Sequence, residues 1–197
     1  MIEFKITGDQ LWSRMERAVE KVNERLRKTV RILDAAGIPY AVVGGHAVRA
    51  WVAQVDEAAV RTTRDVDILI RDGDFAAVKA AMTDAGFHFR ETAGLRMFVE
   101  DPDASARDAV HIVVCGEMVR PDDFEANPDV HPVTRAGEFR TVPLETLVRM
   151  KLNSFRDKDR VHLRDLISVG LIDQSWVDQF PETVGHRLQV RLDNPDG

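Results

Sequence analysis

The chain has 197 residues, 44% of them hydrophobic and 30% charged, with a net charge of −6; that is ordinary globular composition, long enough for one sizeable core. The acidic balance excludes a broad nucleic-acid footprint, though not a local basic patch. A single cysteine, Cys115, excludes an internal disulfide and fits a reducing cytosol; no apolar run approaches membrane-spanning length and the start, MIEFKITGDQ, lacks a secretory pattern, so a cytoplasmic protein without a membrane partner is expected.

In chain order, Ile2 to Ile6 reads as a short strand or an ordered tail. Asp9 is placed to cap a helix, along which Leu11, Met15, Val19, Val22, Leu26, Val30 and Leu33 recur at steps of three and four, one apolar stripe over about seven turns. Gly37 and Pro39 end it. The stripe fits a helix packed on its own domain better than a coiled-coil seam, since it covers little more than three heptads, but a homodimer through it stays open. Tyr40 to Val43 and Asp65 to Ile70 read as strands, with a helix from Ala47 to Val52 between them. Asp74 caps a helix through Phe75, Val78 and Met82 that stops at Gly86. Phe87–Arg90 and Leu95–Glu100 form strands about an Ala-Gly turn, and Ala109 to Val114 is a further strand. The stretch 116–137, with three prolines, reads as a long ordered loop bordering the site. Phe139 to Val142 returns as a strand, Pro143 opens a helix to about Phe155, Asp159 caps another to Val169, and Glu182 to Leu192 is a last helical piece. The expected division is an N-terminal helical segment (1–37), a core (38–142) and a C-terminal helical region (143–197).

The chemistry concentrates in residues 40–70. A short apolar strand ends in Gly44-Gly45, and glycine lets the backbone approach a ligand closely and take positive φ. A helix starting just beyond offers free N–H groups to an anion. On the second strand Asp65 and Asp67 lie two apart and so point the same way. Two adjacent carboxylates with no base between them repel unless a cation sits there, and hard oxygen ligands suit Mg²⁺ shared with nucleotide phosphates. A phosphate cradle beside a carboxylate pair is the apparatus of phosphoryl or nucleotidyl transfer.

The order strand, Gly-Gly, helix, loop, Thr-x-Asp-x-Asp on a second strand resembles the signature of the nucleotidyltransferase superfamily, the fold of DNA polymerase β. It is similar in particular to stand-alone bacterial forms: abortive-infection type nucleotidyltransferase toxins and the lincosamide and aminoglycoside nucleotidyltransferases. The likeness runs from about Ala36 to Ile172 and loosens after Ile70. It implies an α+β fold with a mixed sheet and flanking helices, Gly44 and Gly45 at the triphosphate, and Asp65 and Asp67 as metal ligands. It also implies Mg²⁺, with Mn²⁺ as a substitute, and an NTP as substrate.

The family brings a third acid from a later strand, where this chain has His111. Imidazole is a poor Mg²⁺ ligand, but a neutral histidine can act as a general base. Three readings follow: His111 is the base; Asp108 or Glu117 at either end of the strand replaces the acid; or catalysis is lost and the protein binds a nucleotide or RNA end without turnover. A plain hydrogen-bonded strand histidine is the bland alternative. Lys151 shares the apolar face of its helix and must snorkel or find an anion. The resemblance implies that the anion is the triphosphate, and that a later acid, matched to Asp165, is functional; pairing of Asp165 with Lys151, Arg156 or His162 is the structural alternative. Arg61 and Arg64 either contact phosphates or neutralise the Asp pair. His46 either donates to a phosphate, caps its helix or faces solvent. The expected function is metal-dependent transfer of a nucleoside monophosphate from an NTP to a hydroxyl on RNA, a protein or a small molecule, in a toxin–antitoxin-like setting. The alternative is a catalytically impaired binding or regulatory protein of the same fold.

Overall fold

The computed structural model describes residues 8–121 and 123–195; the strand or tail expected at Ile2 to Ile6 lies outside them. The first helix, α1, spans Asp9–Ala35. Its cap position is Gly8, with no side-chain cap bond, so Asp9 sits in the first turn and not at the cap. The apolar stripe divides in two. Val22, Leu26, Val30 and Leu33 are buried against the sheet and α3, whereas Leu11, Trp12 and Met15 are exposed.

Seven strands form one mixed sheet in the order β3-β4-β5-β2-β1-β7-β6. β1 is Ala41–Val43, β2 Val66–Ile70, β3 His88–Thr92, β4 Leu95–Val99, β5 Val110–Val114, β6 Thr134–Ala136 and β7 Phe139–Thr141. β2 lies antiparallel to β1 and parallel to β5. Successive side chains of a strand face opposite sides. Val42, Val66, Ile68, Ile70 and Val110 therefore meet α1 and α3 (Phe75–Asp84), while Ala41, Val43 and Leu69 meet the second helical layer. That layer is α2 (Gly44–Val52), α4 (Leu144–Ser154), α5 (Asp157–Ser168) and α6 (Glu182–Asp193). β2 is covered on both faces and so reads as a near-continuous apolar run, interrupted only by half-buried Asp67 on the α2 side. No described helix is long and apolar enough to cross a membrane.

Several boundaries differ from the sequence reading; the stretch 116–137, expected as a loop throughout, ends in β6 (Thr134–Ala136), and β3 runs to Thr92. α2 begins at Gly44 itself, because Gly44 takes φ +68° and turns the chain out of β1 directly into the helix. α5 begins at Asp157, not Asp159, and Asp159 accepts from the Arg156 N–H (3.3 Å). The long 116–133 loop packs over α4. Asn153 accepts from the N–H groups of Phe124 (2.7 Å) and Glu125 (3.2 Å) and donates to the Glu125 carbonyl (2.7 Å), and Val130 is fully buried.

Candidate active site

The carboxylate pair stands where β2 begins. Asp67 pairs in register with Val43 on β1 and with His111 on β5. One row across the sheet thus holds the last residue before the glycine turn, the second aspartate and the strand histidine, all facing the α2 side. Asp67 lies directly against Gly44: a Cβ there would be 1.9 Å from Asp67 Oδ2 and 2.7 Å from its Cγ. Gly45 is equally constrained, since a Cβ on it would fall 2.5 Å from Thr63 Oγ1. Both glycines are needed for close approach, and the group that Gly44 admits is the carboxylate itself.

Among the described residues the Asp67 carboxylate makes no hydrogen bond or ion pair, and the cation within ion-pair distance of Asp65 is Lys158, with Nζ 3.9 Å from Oδ2. The neighbouring arginines do not neutralise the pair. Arg61 Nε donates to Asp165 Oδ1 (2.7 Å), and Arg64 donates to Asp108 Oδ1 (3.1 Å). Asp165 therefore has Arg61 as its partner and not Lys151, Arg156 or His162; burial pushes its carboxyl up and Arg61 pulls it back.

His111 Nε2 lies 2.8 Å from the Ala106 carbonyl. A carbonyl only accepts, so Nε2 carries a proton, and Nδ1 is the ring nitrogen left to act as an acceptor. Of the two alternative acids, Asp108 lies at the Asp65 end of β5, beside the start of β2, and is held by Arg64. Glu117 follows the opposite end of the same strand, which takes it away from the pair.

Lys151 is corrected most. Its side chain is buried, and Nζ donates to fully buried Asp159 Oδ1 at 3.0 Å. Asp159 also accepts from Ser154 (2.6 Å) and Arg156 Nε (2.8 Å). Lys151 and these partners hold its carboxyl well below the usual range, against the opposing effect of burial. The anion that Lys151 finds is thus inside the protein, and its ammonium holds the α4–α5 turn together. His46 is also not where a solvent-facing or capping residue would be. It is buried, its Nδ1 lies 3.4 Å from Arg49 Nη1, and its Nε2 has no partner. Burial first, then Arg49 and Arg25, push its pKa down to about 3.

Beside the glycine turn, a cavity of about 90 Å³ opens between α2, α5 and the segment leading to Asp65; Gly45, Arg49, Thr62, Thr63, His162 and Asp165 contribute to its lining. Burial pushes His162 down to about 4, with Lys151 and Lys158 adding to the effect against Asp159.

No protein-family model matches the chain, and no curated protein matches it in sequence. Solved structures do match in shape. The solution structure of the antibiotic-resistance factor ANT(2'')-Ia aligns at a TM-score of 0.53 and 14% identity, over 86% of this chain and 91% of that one. The crystal structure of an antigenic nucleotidyltransferase-like protein from Paracoccidioides brasiliensis aligns at 0.51 and 15% identity, over 90% of each chain. The fold is that of the nucleotidyltransferases.

Within this nucleotidyltransferase fold the donor set can be tested against a divalent cation. Among the described residues no three His, Cys, Asp or Glu side chains are close enough to hold a metal together. The protein thus offers two carboxylates, and His111 does not complete a trio with them. Two carboxylates, Asp67 without a side-chain partner in a space that a Cβ would fill and Asp65 with only Lys158 at 3.9 Å, still fit a Mg²⁺ that takes its other ligands from substrate phosphates and water. Sequence reasoning missed Lys158 and Arg49. Lys158 lies in a run of alternating charge that reads as a solvated turn, and Arg49 carries no local pattern.

Proposed function

We propose that the protein transfers a nucleoside monophosphate from an NTP to a hydroxyl-bearing acceptor, with a divalent cation held by Asp65 and Asp67. One observation supports this above the others: Asp67, half-buried and without a partner, is pressed against the bare Cα of Gly44 at the mouth of the glycine turn. A carboxylate so placed is stabilised by a cation, and the start of α2 beside it carries no side-chain cap on its N–H groups.

The bound cation would polarise the α-phosphate and neutralise charge that develops on transfer. The residues of the chain do the rest. The amide groups at the start of α2 face the phosphates. Lys158, whose side chain is half exposed, moves from Asp65 onto a phosphate oxygen, in the role that Lys151 cannot take. His111 Nδ1 accepts the proton of the acceptor hydroxyl. The acceptor oxygen then bonds to the α-phosphorus, the bond from that phosphorus to the β-bridging oxygen breaks, and pyrophosphate leaves.

Incubation with Mn²⁺ or Mg²⁺ and each NTP, followed by pyrophosphate release, tests the proposal; release that disappears in Asp67→Asn supports it. A second reading is favoured by His111 standing in the third acid's place with Nε2 tied to Ala106. In it the protein binds the nucleotide without turnover, and binding with no release under either metal selects that reading.

A further inference from the structure

The stretch 101–108, between β4 and β5, is laid back across the sheet beside the carboxylate pair. Asp67, His111 and Met97 stand in one row over β2, β5 and β4, all on the α2 side, because paired residues of neighbouring strands face the same way. Met97 and Val99 are buried, and Ala104 packs on them and on Ala109. Arg90 Nη1 donates to the Ala104 carbonyl (2.8 Å), His111 Nε2 to the Ala106 carbonyl (2.8 Å) and Arg64 to Asp108 Oδ1 (3.1 Å). Three side chains, from before β2, from β3 and from β5, thus hold this strap down. The face next to His111 is occupied by the chain itself.

Ser105 stands in the strap one residue before the carbonyl that His111 holds. A Cα–Cα step of about 3.8 Å, the 2.8 Å bond to His111 and a strand spacing of roughly 4.8 Å lead from Ser105 to Asp67. Ser105 is exposed, and its hydroxyl accepts from the Arg107 N–H (3.2 Å). Among the described residues its own proton goes to no acceptor. Other hydroxyls are engaged as donors: Thr29 and Thr141 to the carbonyls of Arg25 and Val42, Ser168 to that of Asp165, and Ser154 to the Asp159 carboxylate. Thr63 is nearer to Asp65 in sequence, but it is packed on Gly45 where a Cβ would fall. A free hydroxyl on a strap tied beside the reacting groups is an intramolecular reactant, and its effective concentration far exceeds that of a diffusing acceptor.

We propose that Ser105 is an acceptor of the transfer, so that the protein attaches a nucleoside monophosphate to its own strap. The proposal rests on the nucleotidyl-transfer reading, which supplies the NTP and the divalent cation. Ser105 Oγ bonds to the α-phosphorus, the bond from that phosphorus to the β-bridging oxygen breaks, the Oγ proton passes to His111 Nδ1, and pyrophosphate leaves. The product is a phosphodiester between Ser105 and the nucleoside.

The full chain is incubated with Mn²⁺ or Mg²⁺ and each NTP in turn, then read by intact-mass and peptide mass spectrometry, with pyrophosphate release measured alongside. One nucleoside monophosphate is expected per chain, on the peptide that carries Ser105, with a first-order rate constant unchanged by tenfold dilution of the protein. Ser105→Ala and Ser105→Asp each lower labelling at least tenfold. Aspartate keeps a side-chain acceptor for the Arg107 N–H, so label missing from Ser105→Asp is not explained by a lost turn. Ser105→Thr keeps a hydroxyl and keeps the label. Pyrophosphate release with an unlabelled chain, or with the label on another residue, overturns the proposal and leaves the transferase reading standing. Labelling whose rate constant falls in proportion to dilution does the same. The absence of both release and label with either metal removes the transferase reading and the proposal with it.

Discussion

Gly44→Ala separates the two reasons for the glycine turn. Gly44 has φ +68°, and a Cβ there would stand 1.9, 2.7 and 3.0 Å from Oδ2, Cγ and Cβ of Asp67. Gly37, just past α1, has nearly the same φ (+66°) with nothing within 4 Å, so Gly37→Ala measures the backbone cost alone, roughly 1–2 kcal/mol. In Gly44→Ala the Asp67 oxygen must retreat from 1.9 Å to the 3.4 Å of ordinary contact, about 1.5 Å. Rotation of the carboxylate moves Oδ2 but does not relieve the Cβ contact, and β2 is fixed in its ladder between β1 and β5. The expected excess over Gly37→Ala is the cost of overpacking, about 1–3 kcal/mol. Urea denaturation followed by tryptophan fluorescence gives both values, and calorimetric titration of Mn²⁺ with an NTP analogue gives the second effect. Gly37→Ala binds like wild type, and Gly44→Ala loses at least tenfold. If the two variants match within about 0.5 kcal/mol and bind equally, Asp67 is not seated on Gly44 and the site as described is wrong.

Lys151→Met strands the buried Asp159 charge and costs about 3 kcal/mol, less than a fully unpaired acid because Arg156 and Ser154 remain; adding Asp159→Leu recovers much of it, as thermal melts will show. Lys158→Gln, at an exposed position, leaves the melting temperature within about 2 °C and raises the KM for the NTP several-fold; an unchanged KM removes Lys158 from the phosphates. Acid lowers stability through His46 and His162, whose folded values of about 3 and about 4 lie below the ordinary 6.5. Below pH 6.5 the unfolded chain binds more protons, so stability present at pH 7 falls by up to about 1.4 kcal/mol per pH unit for each histidine. Urea midpoints at pH 7 and 5.5 measure the slope; His46→Leu lessens it, and a flat profile contradicts the burial of both rings.

Six of the seven strands, the first helix and the place of the two acids were legible because each depends on short-range spacing, whereas β6 lay in the stretch read as a loop. Period two places Asp65 and Asp67 together, and glycines after an apolar strand announce a close approach. The same rules put Lys151 on the buried face of its helix, where it lies, but they name no partner; the resemblance implies a triphosphate, and the structure pairs the lysine with Asp159. Its partner Asp159 lies eight residues on, across a turn in which Phe155 takes φ +42°, and helical spacing says nothing about how the chain reverses there. His111 shows the same limit: its place on the strand follows from the pattern, but its bond to Ala106 depends on how the loop before β5 folds back.

What the sequence by itself determined is the set of faces: which side chains turn toward the sheet, which toward the helical layer, and that two acids share one end of a strand. Only the tertiary structure decided which charges meet. Arg61 reaches Asp165, Lys151 reaches Asp159, Lys158 is left near Asp65, and half-buried Arg49 meets Asn23 and not a carboxylate. Local periodicity is fixed by backbone geometry within one element, whereas ion pairing between elements depends on how α2, α4 and α5 cross over the sheet. That crossing is set by the packing of the whole core.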